Sequence, residues 1–510
     1  MSDNQLKSTR REFVAQAAVT ALAGALGAGA EAQPHDSSRP NVLFLMSDDM
    51  RVELGCYGSR FRAQSPNLDA LAKRGVRFDR NYCQFPLCNP SRSSLLTGQV
   101  PLETEVLGNR TNFRDTRPDL TSLPQLFKEQ GYVTARSGKI FHDIYDDEKA
   151  WTVGGGNAVT QQPGHESAQL GHKLVIPREA VPSPPSGVVP PLPQDNQQAM
   201  HSDQIIVLDG DGEGHPENRV AEKAIEYLRT YRNQPFFIGC GFSKPHSPPT
   251  APQRFFDLYD PAKLELTPDF AAWPTVPPGF PKAAIRMRNA DLFIGRGAST
   301  HEAQEVIRAY LASISWADWN IGRVLAELDA LGLRKNTIVV FVADHGYQLG
   351  EKGKWSKAGS LFEMGTRVPL IIHDPRAAGN GAASVRLVES LDLYPTLVEL
   401  CGLKPPAGGL QGTSLTPLLR RPKAAWDKPA YSIWSEDGKT VHGVAVRHDR
   451  WRYAEFGEDG VNGRMLFDEQ EDPLEMKNLA EHPDHAARCA KFATLARAYV
   501  RRQRAAASAT

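Results

Sequence analysis

The sequence predicts an α/β fold: a large, mostly parallel sheet flanked by helices, with a smaller C-terminal α+β subdomain. Three observations carry this. Apolar runs at 40–46, 235–240 and 337–343 are continuous rather than alternating, as in strands covered on both faces. Segments of helical periodicity separate them, the βαβ pattern of a parallel sheet. After about residue 420 the pattern changes to short alternating strands and one final helix.

Taken in order, Pro40-Asn41-Val42-Leu43-Phe44-Leu45-Met46 is the first strand, ending in Ser47-Asp48-Asp49. Ser65-Pro66-Asn67 opens a helix through Leu68, Leu71 and Ala72 that stops before Gly75. Val76-Arg77-Phe78 is a strand, 123–130 a helix and 132–135 a strand. Residues 150–215 carry Gly and Pro clusters and predict long surface loops over the sheet edge or a site mouth. Within them, Asp209-Gly210-Asp211-Gly212-Glu213 lacks the closing Glu of a calcium loop and predicts a turn. Pro235 to Cys240 is a buried strand running into Lys244-Pro245-His246. Val306, Tyr310, Ile314, Ala317, Ile321 and Leu325 recur at helical spacing within a helix over 302–331. Thr337 to Ala343 is the strongest strand and ends in Asp344-His345-Gly346; a strand at 368–372 follows. Short antiparallel strands are expected over 426–467 and a terminal helix over 485–502. The domains expected are 38–420 and 421–510.

A chain of 510 residues is too long for one ordinary core. With 41% hydrophobic and 23% charged residues it has the composition of a globular protein. Lys plus Arg number 59 and Asp plus Glu 59, so the formal charge is zero. With no acidic or basic tail either, nothing suggests a nucleic-acid or membrane partner, and any charged substrate must be recognised locally. Thr9-Arg10-Arg11-Glu12-Phe13-Val14 precedes a mild apolar run and an Ala30-Glu31-Ala32 cleavage site. This resembles a twin-arginine signal peptide over 1–32, and implies an export translocase as partner and a periplasmic or secreted location. The run is too short and weak for stable membrane insertion. The cysteines, Cys56, Cys83, Cys88, Cys240, Cys401 and Cys489, match no paired zinc pattern; Cys83 and Cys88 could close a short loop.

Chemistry concentrates at strand ends. Asp48-Asp49 follows the first strand and Asp344-His345 the strongest. Open α/β sheets bind ligands at the carboxyl ends of strands, and carboxylates from two such ends can share one hard cation. Taken alone, either acidic pair reads first as a cap of the following helix or turn; two such pairs, both directly after buried strands, shift the reading toward metal. Cys88 lies just before a predicted helix, where a helix N-terminus favours anions and lowers a thiol pKa. Arg92 lies four residues on, able to turn back toward the same point.

The string Cys88-Asn89-Pro90-Ser91-Arg92-Ser93-Ser94-Leu95-Leu96-Thr97-Gly98 resembles the signature of the type I, formylglycine-dependent sulfatases. That family's other pieces follow in order: Asp48-Asp49-Met50-Arg51, Ser137-Gly138-Lys139-Ile140-Phe141-His142, Lys244-Pro245-His246, the segment from Asp344 to Glu351, and Trp355-Ser356-Lys357. Leu54-Gly55-Cys56-Tyr57-Gly58 and the Asp344-His345 pair are similar to the iduronate-2-sulfatase-like branch. The chain departs from that branch at Tyr347 and Lys352, in a segment the branch uses near the substrate mouth.

The resemblance implies the alkaline-phosphatase/sulfatase-like fold and hydrolysis of sulfate esters, with a sulfated sugar as substrate. It implies that a formylglycine-generating maturation enzyme oxidises Cys88, whose aldehyde hydrate supplies the nucleophile. Asp48, Asp49, Asp344 and His345 would hold one Ca²⁺, with modified Cys88 completing the shell. Arg92 would stabilise the hydrate, Lys139 and His246 contact the sulfate, and His142 act as base; Lys357 would sit by the bridging oxygen, with His246 or Lys357 as acid. Several cations around an anionic ester also make physical sense, since they offset the charge that repels a nucleophile. Three alternatives stand beside this: a phosphatase or phosphonate monoester hydrolase of the same superfold, an inactive glycan-binding homologue, and a thiol hydrolase using unmodified Cys88.

Overall fold

The computed structural model describes residues 39–507, apart from 59, 143, 156–169 and 189–192. The expected signal peptide lies outside the described residues.

The strands are β1 (Asn41–Asp48), β2 (Val76–Tyr82), β3 (Val133–Gly138), β4 (Gly171–Lys173), β5 (Ile206–Leu208), β6 (Phe236–Pro245), β7 (Thr250–Pro252), β8 (Thr337–Ala343), β9 (Arg367–His373), β10 (Ala383–Glu389), β11 (Ala430–Trp434), β12 (Gly443–His448), β13 (Trp451–Phe456) and β14 (Arg464–Asp468). Seven form the main sheet in the order β10-β2-β9-β8-β1-β6-β3. β9 runs antiparallel to both neighbours and the other pairs are parallel. The reason is local. Residues 344–366 turn back on themselves, so β9 returns beside β8 without the crossover a parallel strand needs.

The central strands β1 and β8 are buried at every residue, which explains their unbroken apolar runs. Along β1, Leu43 and Leu45 face one core; Val42, Phe44 and Met46 face the other. The helices named below are α1 (Pro66–Arg74), α2 (Cys88–Thr97), α3 (Leu123–Glu129), α4 (Pro193–Ser202), α5 (Pro216–Tyr231), α6 (Thr300–Ala330), α7 (Leu393–Leu400) and α8 (Ala486–Ala507). α1, α5 and α6 cover the first face; α2, α3 and α7 cover the second. Each fully buried Leu or Phe in these layers contributes roughly 1.5–3 kcal/mol. α6 begins at a capping box: Glu302 N donates to Ser299 Oγ at 3.1 Å and Ser299 N to Glu302 Oε2 at 3.2 Å.

β11 to β14 form the antiparallel sheet expected near the C-terminus, and it packs on α8 around Tyr453, Phe467 and Phe492. α8 runs to Ala507, beyond the expected end. The 150–215 stretch departs from the loop expectation, since its described parts include β4, α4 and β5. β4 and β5 join β7 in a small three-stranded sheet. The Asp209–Glu213 segment is a turn, as read.

Candidate active site

Asp48 is the last residue of β1, and the chain then turns at Asp49 with φ of 60°. Aspartate tolerates this left-handed conformation better than most side chains. α6 holds the turn: Tyr310 Oη donates to Asp49 O at 2.6 Å, and Arg51 N donates to Tyr310 Oη at 3.1 Å. Asp344 and His345 follow β8 at the same edge of the sheet. Asp344 Oδ1 accepts from Asp49 N (3.2 Å) and His345 N (2.9 Å), tying the two strand ends together.

Cys88 opens α2 and is 1% exposed. Its Sγ lies 3.4 Å from Asp48 Oδ1 and 3.2 Å from His345 Nε2. Burial pushes the Cys88 thiol well above its ordinary pKa and Asp48 adds to this; Lys139 and Lys357 pull the other way. The expectation that the helix N-terminus depresses this thiol is therefore wrong: desolvation and the neighbouring carboxylate outweigh it.

One turn along α2, Arg92 Nε donates to Asp344 Oδ2 at 2.8 Å. Its Nη1 donates to Lys139 O (2.6 Å) and Ile140 O (3.0 Å), and Ser91 Oγ donates to Asp344 O at 2.5 Å. Arg92 thus joins the ends of β3 and β8 to α2.

Ligand atoms of Asp48, Asp49, Cys88 and His345 lie within 4.8 Å of one another, all buried. Among the described residues this is the one group with metal-binding spacing. Asp344 adjoins it, with Oδ2 3.6 Å from His345 Nε2. Two further observations fit a cation. Asp49 Oδ1 is buried without a hydrogen-bond partner. His345 Nδ1 lies 2.9 Å from the Gly346 carbonyl, which can only accept, so the proton sits on Nδ1. Burial lowers the His345 pKa, so the ring is neutral and Nε2 offers a lone pair 3.4 Å from Asp49 Oδ1. With Asp49 ionised both atoms are acceptors, and one cation would satisfy them together. Burial also raises the Asp49 pKa well above normal despite Lys357, with Asp48 adding to the rise. Asp48 goes the other way: burial raises it, but Lys139 and Arg92 more than offset that and hold it well below the usual carboxylate range.

The cations stand around this cluster. Lys139 Nζ lies 2.5 Å from Asp48 Oδ2. Lys357 Nζ lies 3.0 Å from Asp49 Oδ2 and 3.4 Å from Asp291 Oδ1. Burial lowers the Lys357 pKa, and Asp291 and Asp49 more than reverse this, so the ammonium stays charged. His246 Nδ1 faces Ser247 O at 2.7 Å. Lys139 is placed by close backbone packing. A Cβ on Gly138, with φ of 76°, would lie 2.1 Å from Gly241 O, and one on Gly241 would lie 1.9 Å from Lys139 O. Only glycine fits at either position.

Asp48, Cys88, Lys139, His142, His246 and Lys357 line one cavity of about 830 Å³, and Asp49, Arg92, Asp344 and His345 are buried behind it. The structure thus brings all ten predicted site residues together. It also adds wall residues the sequence reading missed: Arg110, His201 on α4, Arg286, Arg288, Asp291 and, from the C-terminal sheet, Trp434. The Pro-rich 150–215 stretch was the one hint of a covered mouth. Tyr347 and Lys352 do not line the cavity. Tyr347 is buried and donates to Trp355 O at 3.0 Å, and Lys352 is buried against Asp269 at 2.9 Å. Both departures from the branch pattern are structural here.

Comparison with known proteins places the chain in a family. The family model described as Sulfatase matches residues 40–403, and that of the N-sulphoglucosamine sulphohydrolase C-terminal region matches 350–498. A sulfatase of Formosa agariphila is 32% identical, over 87% of this chain and 83% of that one. Iduronate 2-sulfatase of Homo sapiens is 32% identical, over 74% of this chain and 72% of its own. The solved complex of BT4656 with its substrate D-glucosamine-2-N,6-O-disulfate shares the fold, with a TM-score of 0.68 at 24% identity, covering 91% and 98% of the two chains. The phosphonate monoester hydrolase of Silicibacter pomeroyi shares it equally, with a TM-score of 0.68 at 24% identity over 91% and 96%. With the family model spanning most of the chain and relatives of this identity over most of their length, the protein belongs to the sulfatase family, the hydrolases of sulfuric esters.

Proposed function

We propose that this sulfatase removes sulfate from a sulfated carbohydrate, in the manner of the iduronate-2-sulfatase-like branch, with Cys88 converted to formylglycine and one Ca²⁺ bound. The observation that carries the reading is the placement of Cys88. It stands 3.4 Å from Asp48 and 3.2 Å from His345, with Lys139 and Lys357 lining the same cavity and Arg92 buried behind.

Asp48, Asp49, Asp344 and His345 would hold the calcium ion, which supplies positive charge against the ester's sulfate oxygens. A formylglycine hydrate at position 88 supplies a hydroxyl for attack on sulfur and a second hydroxyl that lets sulfate leave. Around it the chain's own groups divide the work. Arg92, fixed by Asp344, stabilises charge at position 88. Lys139 and His246 hold the sulfate, His142 takes the proton from the second hydroxyl, and Lys357 or His246 protonates the leaving alcohol. A sulfated sugar is supported by the bound glucosamine disulfate of BT4656 and by the iduronate 2-sulfatase relatives. The cavity is also larger than one sulfate group needs.

The same proposal includes a signal peptide over 1–32, a catalytic domain over 38–420, a C-terminal subdomain over 421–510, and twin-arginine export to the periplasm or beyond. No described helix is long and apolar enough to cross a membrane. Replacing Arg10 and Arg11 by lysine should trap activity in the cytoplasm; undiminished export would refute that route.

Protein matured in its native host, assayed side by side on sulfate, phosphate and phosphonate monoesters, tests the activity. Sulfate esters should lead, and phosphonate esters leading would favour the neighbouring hydrolase class. A mass spectrum of the Cys88 peptide tests the modification, which exchanges sulfur for oxygen and removes two hydrogens. Active protein carrying only thiol there would overturn it.

A further inference from the structure

Two consecutive stretches wall the active-site cavity: residues 107–111 and, from the C-terminal sheet, residues 434–439. They touch each other, since a Cβ built on Gly108 would lie 3.5 Å from Gly438 Cα. Arg110 stands two residues from that contact and Lys439 one, and both side chains are exposed. Neither has a part in the reaction as set out above.

The backbone that carries Arg110 is fixed on α2. Asn89, the residue after Cys88, brackets it: Asn89 N donates to Asn109 Oδ1 at 3.1 Å, and Asn89 Nδ2 donates to Gly108 O at 3.0 Å and Thr111 O at 2.7 Å. Arg110 is thus presented from a braced loop anchored beside the nucleophile position, as a recognition group requires.

The charges around it are already matched. Among the described residues the carboxylates lining the cavity are Asp48, Asp291, Glu436 and Asp437. Asp48 is held by Lys139 at 2.5 Å, Asp291 by Lys357 at 3.4 Å and Glu436 by Arg286 at 2.7 Å. Asp437 Oδ1 is occupied within its own turn, accepting from Lys439 N (2.8 Å), Thr440 N (2.7 Å) and Ser435 Oγ (3.0 Å). Arg110 and Lys439 are left without an ion-pair partner among the described residues. The chain as a whole is neutral, so this surplus is local to the cavity wall. Two like charges on touching loops raise the potential there, and an anion lowers it.

We infer that Arg110 and Lys439 form a specificity subsite for a second anionic group on the substrate, a carboxylate or another sulfate carried beside the ester that is cleaved. The inference rests on the sulfatase reading and narrows its substrate class to esters with at least two negative charges. Arginine suits either group, because its planar fork meets two oxygens at once.

The test compares charged esters with neutral counterparts of the same shape. One arm sets 3- and 4-carboxyphenyl sulfate against the carbamoyl esters, and the other sets 3- and 4-sulfophenyl sulfate against the sulfamoyl esters. Matured wild-type enzyme at low ionic strength should favour the charged member of at least one pair by about fivefold or more in kcat/KM, the scale of one exposed charge pair. An ester that binds without turnover is scored by its inhibition constant instead. The arm with the larger ratio tells whether a carboxylate or a sulfate is taken, and added salt should shrink it. Arg110→Gln and Lys439→Gln should each bring the ratio toward unity, and Arg110→Glu should carry it below. Differences in leaving group cancel, because every variant meets the same pair. Both side chains are exposed, so the variants should fold. A wild-type ratio of unity in both arms, or ratios unchanged in all three variants, would overturn the inference and leave the sulfatase reading standing. Phosphonate esters turned over in place of every sulfate ester would overturn the two together.

Discussion

Arg92 Nε lies 2.8 Å from Asp344 Oδ2, and neither side chain exposes any surface. The pair couples α2, one turn beyond Cys88, to the end of β8, so one contact orients Cys88 against the acidic cluster. Removing one partner of such a pair leaves a buried charge without its counterpart, at a cost of about 3–5 kcal/mol. Arg92→Ala should lower the denaturation midpoint accordingly and reduce kcat at least ~10²-fold, as loss of one charge-stabilising donor does elsewhere. Arg92→Lys should rescue little, because an ammonium cannot reach Asp344 and the carbonyls of Lys139 and Ile140 together. Chemical denaturation beside steady-state kinetics checks both.

Chelation addresses the acidic cluster. With Asp49 Oδ1 unpartnered and His345 Nε2 facing it, metal removal should abolish activity and destabilise the fold. A ligand present at 100 times its Kd contributes about 2.7 kcal/mol. Calcium should restore both activity and melting temperature, and Asp49→Asn should blunt the restoration. Stoichiometric zinc in active protein, with no response to calcium, would refute the assignment.

Lys357 makes a separable prediction. If it protonates the leaving alcohol, Lys357→Ala should cost more on substrates with basic leaving groups. Loss on an alkyl or sugar sulfate should exceed that on 4-nitrophenyl sulfate, whose leaving group needs no acid, by about tenfold or more. Equal losses would instead assign Lys357 to the sulfate group and not to the leaving alcohol.

Lys354 carries a pH signature in stability. Burial pulls its pKa down from 10.5 to about 7. Between those values the unfolded chain holds a proton that the folded chain lacks, so stability rises with pH across that window. It falls again as pH drops toward about 7. The slope from this one group is about 1.4 kcal/mol per pH unit. Lys354→Met should flatten it in denaturant titrations between neutral and mildly alkaline pH.

Much of this was legible from residue order. β1, β6 and β8 announce themselves because burial on both faces demands unbroken apolar runs. Asp48, Asp49, Asp344 and His345 are found because they end such runs, and Cys88 and Arg92 because a dense local string surrounds them. Asp291 and Trp434 were not legible. Each reaches the cavity from a distant segment, and nothing periodic marks 286–292 or the end of β11 as facing the site. The direction of the Cys88 pKa was missed for a related reason. Proximity to a helix N-terminus can be read locally, whereas desolvation by the whole fold cannot.

The backbone contact between Gly138 and Gly241 bears on how damage to this enzyme would be interpreted. Neither glycine offers an atom to a substrate, yet a single methyl group on either would push aside the strand that presents Lys139. A survey of inactivating substitutions would therefore rank both beside the lysine itself. Whoever mapped chemistry from such a survey alone would credit two hydrogen atoms with a part in it.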